Sequence, residues 1–490
     1  MSDSLDRLKI TRRTALAGAL GTAALAAAGP ALAHTPGNPS GRKPNVLFIM
    51  ADDLGYADLS CYGRRDYETP VLDRLAAQGM MFTHAYANSA VCTATRVGLI
   101  TGRYQYRLPV GLHEPLGPGD VGLPSEHPTV ASLMRQAGYT TTLIGKWHLG
   151  SLPSYGPLKS GYDEFWGLYG GGVDYFRHGF AGRSDLWDGE TRVEETGYVT
   201  DLLAERAIEA LDRRKADGKP FFLSLHFTAP HWPWESNDDE GRAESERIAT
   251  APSEGGGGIL HYDGGSLATY ARMMKSLDDN IGRVLERLAA HGLDRDTIVV
   301  FTSDNGGERF SDTWPFSGKK TELLEGGLRV PAIVRWPGMV AAGSQSTVPI
   351  MSMDWLPTFV AAGGGLQDPA YPSDGVDIWT ALEGGSLPER PLFWRFGNKE
   401  QRALRRGRHK YLKINDNEFL FDVVADPLER ANLKTRQAER FAELKAEWEQ
   451  WDAGMLHDPD APSAGNQPAN WPDHFNSPPP PAPPPPAAAD

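Results

Sequence analysis

Side chains that could bind a hard metal ion stand at two places in the chain. Asp52 and Asp53 follow one apolar run, and Asp304 and Asn305 follow another. Carboxylate and amide oxygens suit Ca²⁺ or Mg²⁺ rather than a soft metal. Asp and Asn also commonly cap helices and turns, so each pair taken alone allows either use.

Basic side chains that could bind an anion occur at three further places. A single lysine is usually solvated and a single histidine is usually structural. Several cations gathered in one pocket would instead stabilise a transition state that spreads negative charge over several oxygens. The residues concerned are Lys146, His148, His231, Lys319 and Lys320.

A cysteine in an unusual setting lies at position 92. The segment 91–103 reads VCTATRVGLITGR, so Cys92 precedes Arg96 by four residues and the segment closes with Thr-Gly-Arg. The thiol could be an ordinary buried residue, or it could pair with Cys61, the other cysteine.

In their order and in their residues these segments resemble the type I sulfatases, a family of the alkaline phosphatase superfamily. In that family Cys-x-Pro/Ala-x-Arg followed by Thr-Gly-Arg marks a cysteine that a formylglycine-generating maturation enzyme oxidises to an aldehyde. The resemblance implies that Cys92 becomes formylglycine. One hydroxyl of its hydrate would attack sulfur, and collapse of the second would expel sulfate. Position 94 is Ala where most of the family has Pro, so we expect less efficient oxidation by the common aerobic enzyme.

The same resemblance implies a resident calcium ion, in preference to magnesium. A divalent cation would hold the nucleophile and the sulfate together and polarise the reacting group. Arg96 matches the residue that holds the formylglycine hydrate. The implied calcium ligands are Asp52, Asp53, Asp304, Asn305 and the hydrated side chain of Cys92.

The resemblance also places four basic residues around the sulfate and the leaving oxygen: Lys146, His148, His231 and Lys320. Lys320 is preferred to Lys319 because it stands five residues before Glu325, which is the family's spacing. From their chemistry we expect His231 to protonate the leaving alcohol and His148 to help the hydrate lose its proton.

Residues 1–33 are typical of a twin-arginine signal peptide. Arg12 and Arg13 precede an Ala/Leu-rich run, and Ala31-Leu32-Ala33 offers a small-residue cleavage site. We therefore expect export by the twin-arginine machinery to a bacterial periplasm or to the medium. The apolar run is too short for a membrane span and no later run is long enough, so no span is expected in the mature protein.

Composition and periodicity predict an α/β protein. Of the 490 residues 40% are apolar, and the net charge of −14 leaves no basic stripe for nucleic acid. Apolar runs typical of buried strands alternate with helical spacing, which predicts a mainly parallel (mixed) central sheet flanked by helices. The resemblance makes this sheet alkaline-phosphatase-like. Strands are predicted at 45–50, 140–144, 221–226 and 297–302, and helices at 129–137 and 267–290.

Four parts of the chain are predicted: the signal peptide 1–33, a catalytic domain 44–346, a smaller α+β C-terminal subdomain 347–455, and a disordered Pro-rich tail 456–490. The subdomain should hold strands within 404–414 and at 419–422, followed by a helix at 435–451. The segments 111–127 and 236–266 are predicted to be long loops. A solvated or substrate-facing loop is predicted for Arg402, Arg405, Arg406 and Arg408.

These features predict an exported, calcium-dependent sulfuric ester hydrolase acting on a sulfated small molecule or glycan, with an aryl or carbohydrate sulfate as substrate. One alternative is a phosphonate or phosphate ester hydrolase on the same scaffold. Another is a non-catalytic carbohydrate-binding relative in which Cys92 stays a thiol. Aromatic residues could line a sugar or aryl site or belong to the core; they are Trp147, Trp232, Trp234, Trp314 and the segment 174–178.

Overall fold

The computed structural model describes residues 41–115, 121–180, 183–250, 264–397 and 400–457. The predicted signal peptide and nearly all of the predicted Pro-rich tail lie outside these described residues. Within them, no helix combines the length and the apolar character needed to cross a membrane.

The described helices are α1 (Pro70–Ala77), α2 (Cys92–Thr101), α3 (Val130–Gln136), α4 (Val199–Asp217), α5 (Asp239–Thr250), α6 (Leu267–Ala290), α7 (Glu325–Leu328), α8 (Trp355–Ala362), α9 (Trp379–Leu382) and α10 (Ala438–Asp452). The strands are β1 (Asn45–Ala51), β2 (Met80–Phe82), β3 (Ala85–Tyr86), β4 (Thr140–Lys146), β5 (Glu164–Leu168), β6 (Gly179–Phe180), β7 (Arg183–Ser184), β8 (Trp187–Asp188), β9 (Thr191–Arg192), β10 (Phe221–His226), β11 (Thr297–Ser303), β12 (Ala332–Arg335), β13 (Ser344–Ser346), β14 (Ile350–Met351), β15 (Pro391–Phe396), β16 (Gln401–Arg406), β17 (His409–Ile414) and β18 (Asn417–Asp422).

A mixed sheet of ten strands forms the centre of the fold, in the order β13-β2-β12-β11-β1-β10-β4-β5-β8-β9. The five middle strands, β11 to β5, are parallel, and antiparallel partners extend the sheet at both ends. Every residue of β1 is buried, as expected for a parallel strand covered on both faces. The predicted α/β architecture is therefore confirmed.

Alternate residues of β1 enter two different cores. Val46 and Phe48 pack towards α2, α3 and α8, whereas Leu47 and Ile49 pack towards α1, α4 and α6. Successive side chains of a strand point to opposite faces, so one apolar run serves both layers. Helices thus cover the two faces of the sheet and leave the strand ends to carry polar residues.

The predicted loop at 236–266 is wrong in part, because Asp239–Thr250 forms α5. Gly241, Ser245 and Ile248 are buried, at the spacing of one helical face. Two of these three are small, so the apolar periodicity that reveals a longer helix is missing here.

A separate four-stranded antiparallel sheet, β15-β16-β17-β18, lies in the C-terminal region. Leu404, Tyr411 and Leu420 of this sheet share a core with Trp448 of α10 and with Tyr106, close to α2. The predicted small C-terminal sheet and helix are confirmed. The domain limits 44–346 and 347–455 stay predictions.

The segment of arginines predicted to be a loop is mostly a strand. Arg402, Arg405 and Arg406 lie on β16, and Arg408 lies in the turn to β17. The buried guanidinium of Arg405 donates a hydrogen bond to Tyr86 Oη. The predicted loop is therefore wrong for Arg402, Arg405 and Arg406, whereas Arg408 lies in a turn with its side chain 54% exposed.

Candidate active site

The carboxyl ends of the middle strands bring the predicted residues together. Ala51 pairs with Ser303 at the ends of β1 and β11, so Asp52 and Asp304 leave the sheet side by side. Lys146 ends β4, two strands from β1, and His231 follows β10, which lies between them. Ligand sites in open α/β sheets lie at this edge.

Cys92 is the first residue of α2 and is buried among the acidic residues. Its Sγ lies 3.4 Å from Asp52 Oδ1 and 3.8 Å from Asp53 Oδ1. Cys92 and Cys61 are both free cysteines, which rules out the disulfide alternative. Burial raises the pKa of the Cys92 thiol well above its usual value, so the unmodified side chain is a poor nucleophile.

The acidic residues are linked to one another by short contacts. Asn305 Nδ2 donates to Asp53 Oδ1 at 2.7 Å, and the backbone N–H of Asp53 donates to Asp304 Oδ1 at 3.2 Å. Asp53 takes a φ of 60°, an uncommon conformation that turns its carboxylate back into the site. Potential ligand atoms of four side chains lie within 4.8 Å of one another: those of Asp52, Asp53, Cys92 and His231.

Arg96 lies one helical turn beyond Cys92 and is fully enclosed. Its Nε and Nη2 donate to Asp304 Oδ2 at 3.1 and 2.9 Å, and its Nη1 donates to the carbonyl oxygen of Lys146 at 2.9 Å. Arg96 therefore fixes the end of β11 against the end of β4.

Two lysines contact the two central aspartates. Lys146 Nζ lies 2.5 Å from Asp52 Oδ2, and Lys320 Nζ lies 2.7 Å from Asp53 Oδ2. Lys320 also contacts Glu308 Oε1 at 2.8 Å. Of the two candidate lysines of this loop, Lys320 is thus the one that reaches Asp53.

His231 faces the acidic group through Nε2, which lies 3.4 Å from Asp53 Oδ2. Its Nδ1 lies 2.5 Å from the carbonyl oxygen of Trp232, so Nδ1 carries the proton of the neutral ring. Burial lowers the pKa of His231 to about 3. Nε2, which carries the lone pair, is then the basic atom that this ring presents to the site.

His148 faces a residue that the sequence did not suggest. Its Nε2 lies 2.9 Å from Glu114 Oε1. The ring fills a space left by Gly171, where a Cβ would come within 2.3 Å of it. Burial lowers the pKa of His148, although the carboxylate of Glu114 acts in the opposite direction.

Carboxylates outnumber cations in the contacts that the described residues make in this pocket. Five carboxylates face three cations, those of Asp52, Asp53, Asp304, Glu114 and Glu308 against those of Arg96, Lys146 and Lys320. Burial and repulsion by Asp304 raise the pKa of Asp52 well above its usual value. The buried Oδ1 of Asn305 accepts no hydrogen bond from the described residues. An oxygen-rich set with surplus negative charge fits a hard divalent cation.

The aromatic candidates divide into two groups. Trp147, Trp232 and Trp234 are buried in the two cores, which settles their structural use. Trp314 is 64% exposed and lies in the same loop as Lys320. Of these four tryptophans, Trp314 is the one with a face open to a ligand.

Residues 44–365 match the Sulfatase family. The chain belongs to this family. It is 31% identical over 400 residues to the N-acetylgalactosamine-6-sulfatase of Canis lupus familiaris, a match covering 76% of this chain and 72% of that protein. It is likewise 31% identical over 437 residues to arylsulfatase A of Homo sapiens, a match covering 81% of this chain and 80% of that protein.

A solved structure shares the architecture of this sulfatase. The crystal structure of Ps i-CgsB in complex with k-i-k-neocarrahexaose is 30% identical, with a TM-score of 0.76 and coverage of 86% of this chain and 94% of that chain. The mixed central sheet with its flanking helices is thus the alkaline-phosphatase-like fold of the family. This protein is a sulfuric ester hydrolase.

Proposed function

We propose that this sulfatase matures Cys92 to formylglycine, binds Ca²⁺ through Asp52, Asp53, Asp304 and Asn305, and hydrolyses a carbohydrate sulfate. One observation carries the proposal. Cys92, in the maturation-like segment, is the first residue of a helix. Its Sγ lies 3.4 Å from Oδ1 of Asp52 and 3.8 Å from Oδ1 of Asp53, and both aspartates are buried. Maturation to a metal-bound nucleophile accounts for a thiol held against this acidic group.

Hydrated formylglycine would offer hydroxyls in place of the thiol, and Ca²⁺ would withdraw charge from the sulfate oxygens. The residues of the chain do the rest. Lys146 and Lys320 would stabilise the sulfonyl oxygens, since both ammonium groups lie at the aspartates that frame Cys92. Arg96 holds Asp304 in position for the metal.

Two histidines are placed for proton transfer. Nε2 of His231 would first take up a proton from solvent as the anionic substrate enters, and would then deliver it to the leaving alcohol while Nδ1 stays committed to the Trp232 carbonyl. His148 would accept a proton from the nucleophile at Nδ1, because its Nε2 faces the Glu114 carboxylate at 2.9 Å and carries the proton of the neutral ring. Burial lowers the pKa of both rings, so both stay neutral until a reacting group approaches.

Carbohydrate is the substrate class that the comparisons favour. One relative is named for N-acetylgalactosamine 6-sulfate, and the Ps i-CgsB structure holds a neocarrahexaose. Trp314, with its exposed ring near Lys320 in the chain, offers a flat apolar face of the kind that stacks on a sugar.

Hydrolysis rates on matched 4-nitrophenyl sulfate and 4-nitrophenyl phosphate, and on N-acetylgalactosamine 6-sulfate and a sulfated neocarrahexaose, test the proposal. We expect calcium-dependent release of sulfate, faster from a sugar sulfate than from the aryl ester. Faster release of phosphate than of sulfate would favour a phosphate or phosphonate ester hydrolase. Sugar binding without turnover, in protein whose Cys92 is a thiol, would favour the non-catalytic alternative.

We further propose that residues 1–33 direct this enzyme to the periplasm or the medium through the twin-arginine machinery. The paired Arg12 and Arg13 carry this part of the proposal. Replacing both by Lys should leave the sulfatase in the cytoplasm of a host that has this machinery. Secretion of the doubly substituted chain at the normal level would contradict it.

A further inference from the structure

The turn that carries Lys320 holds a residue in an unfavourable conformation. The N–H of Glu322 donates to the carbonyl oxygen of Lys319 at 3.0 Å, which places Lys320 and Thr321 at the centre of a four-residue turn. Thr321 has a φ of 71°. This region is normally taken by glycine, and for a β-branched residue it is a genuine outlier that the surroundings must enforce.

Hydrogen bonds from two parts of the catalytic core hold the turn. The N–H of Lys320 donates to the carbonyl oxygen of Gly307 at 3.1 Å, two residues beyond Asn305. The N–H of Thr321 donates to the carbonyl oxygen of Ala90 at 2.8 Å, two residues before Cys92. The turn is therefore tied to both sides of the candidate site.

The third attachment comes from the C-terminal sheet. Gln401, the first residue of β16, is buried and directs its amide at the turn. Its Nε2 donates to the carbonyl oxygen of Thr321 at 2.8 Å, and its Oε1 accepts from the N–H of Leu323 at 2.8 Å. One side-chain amide thus bridges the carbonyl oxygen of the strained residue Thr321 and the N–H of Leu323, two residues later.

We propose that Gln401 is a positioning residue that sets the place of Lys320 in the site. The inference rests on the proposed role of Lys320 at the sulfate. Without this bridge, Thr321 would relax to negative φ and rotate the peptide that follows Lys320. The ammonium group of Lys320 would then leave the position between Asp53 and Glu308. The C-terminal sheet would in this way determine catalytic geometry without touching the substrate.

The first test is Gln401→Met, which keeps the volume and loses both hydrogen bonds. We expect kcat on a sulfate ester to fall by about 10- to 100-fold, the scale of a small misplacement of a catalytic group. Thr321→Gly in the Gln401→Met background should recover part of this loss, since glycine takes a positive φ without strain. If Thr321→Gly recovers none of the kcat that Gln401→Met loses, the inference is contradicted.

The second test is a double-mutant cycle. In a Lys320→Ala background, Gln401→Met should change kcat by less than about twofold, because residues that act as a unit are not additive. Equal effects of Gln401→Met with and without Lys320 would show that Gln401 acts only through the fold. If Lys320→Ala alone leaves kcat intact, the proposed role of Lys320 fails instead.

Leu404→Ala on the same strand is the matched control. This side chain is buried in the core of the C-terminal sheet and, being apolar, makes no hydrogen bond to the turn. It should lower Tm while kcat of the folded enzyme is retained. A loss of kcat in Leu404→Ala as large as that in Gln401→Met would mean that loosening the sheet alone explains the result.

Discussion

Removing the carboxylate beside His148 should move the pH dependence of this sulfatase in a known direction. Glu114→Gln keeps the size and hydrogen-bonding capacity of the side chain but removes its charge. The charge acts on His148 Nε2 from 2.9 Å, where it favours the protonated ring. If neutral His148 is the base that accepts a proton, the carboxylate restrains catalysis at low pH.

The size of the effect follows from the distance. At 2.9 Å, two unit charges attract by about 1.4 kcal/mol in a medium as polar as water, and by more in a less polar one. The water-like figure is the conservative choice because the Glu114 side chain is 19% exposed. An energy of about 1.4 kcal/mol is roughly tenfold in the ratio of neutral to protonated ring.

The pH profile of kcat at saturating calcium measures this ratio. Losing Glu114 lowers the pKa of His148, so the acidic limb of the Glu114→Gln profile should move to lower pH. The exposed carboxyl of Glu126 gives a control, Glu126→Gln, that should leave the profile unchanged. An acidic limb that stays in place while the basic limb moves down would show that His148 acts as an acid. A profile identical to the wild type would refute any role for the pair.

Other perturbations of the site have equally definite outcomes. Mass spectrometry of the peptide containing Cys92 should show an aldehyde whose fraction scales with specific activity; fully active enzyme with a free thiol would contradict this. Asp304→Ala should lower kcat by at least about 10²-fold and abolish the rise in Tm caused by calcium, because a ligand and the partner of a buried arginine are lost. Lys320→Ala should lower kcat by about 10²- to 10³-fold, and Lys319→Ala should lower it far less. The reverse order would mean that Lys319, and not Lys320, is the lysine of the site. Ala94→Pro should raise the converted fraction of Cys92 measured by mass spectrometry, since residue 94 lies in the first helical turn, where proline is tolerated; unchanged conversion would show that Ala94 does not limit oxidation.

The sequence predicts the centre of the fold because each apolar run there is strongly patterned. The strand β10 and the helix α6 have the predicted bounds, and β1, β4 and β11 extend the predicted strands by one or two residues. Those added residues matter, since Lys146 and Ser303 end their strands at the site. Placing polar pairs at strand ends was sufficient to predict that distant segments meet, because parallel strands end at one edge.

Residues that reach the site from loops are not visible to that reasoning. Glu114 stands outside any strand-end cluster, and Glu308 follows directly after one; their closeness to His148 and Lys320 depends on how the intervening loops fold. Gln401 is still harder to predict from the sequence, since its role arises from packing between the C-terminal sheet and the core. Tertiary contacts of this kind have no period and no spacing in a single sequence.

The burial of the maturation-like segment constrains when Cys92 can be oxidised. Every residue of α2 is buried, and the Cys92 thiol is 4% exposed with a pKa raised by burial. A maturation enzyme cannot bring its active site to a thiol enclosed in this way without opening the core between the sheet and α2. The proposed oxidation would therefore precede the closure of the fold. The twin-arginine machinery carries folded proteins, so on the proposed export route the aldehyde would form in the cytoplasm, where the segment 92–96 is still accessible.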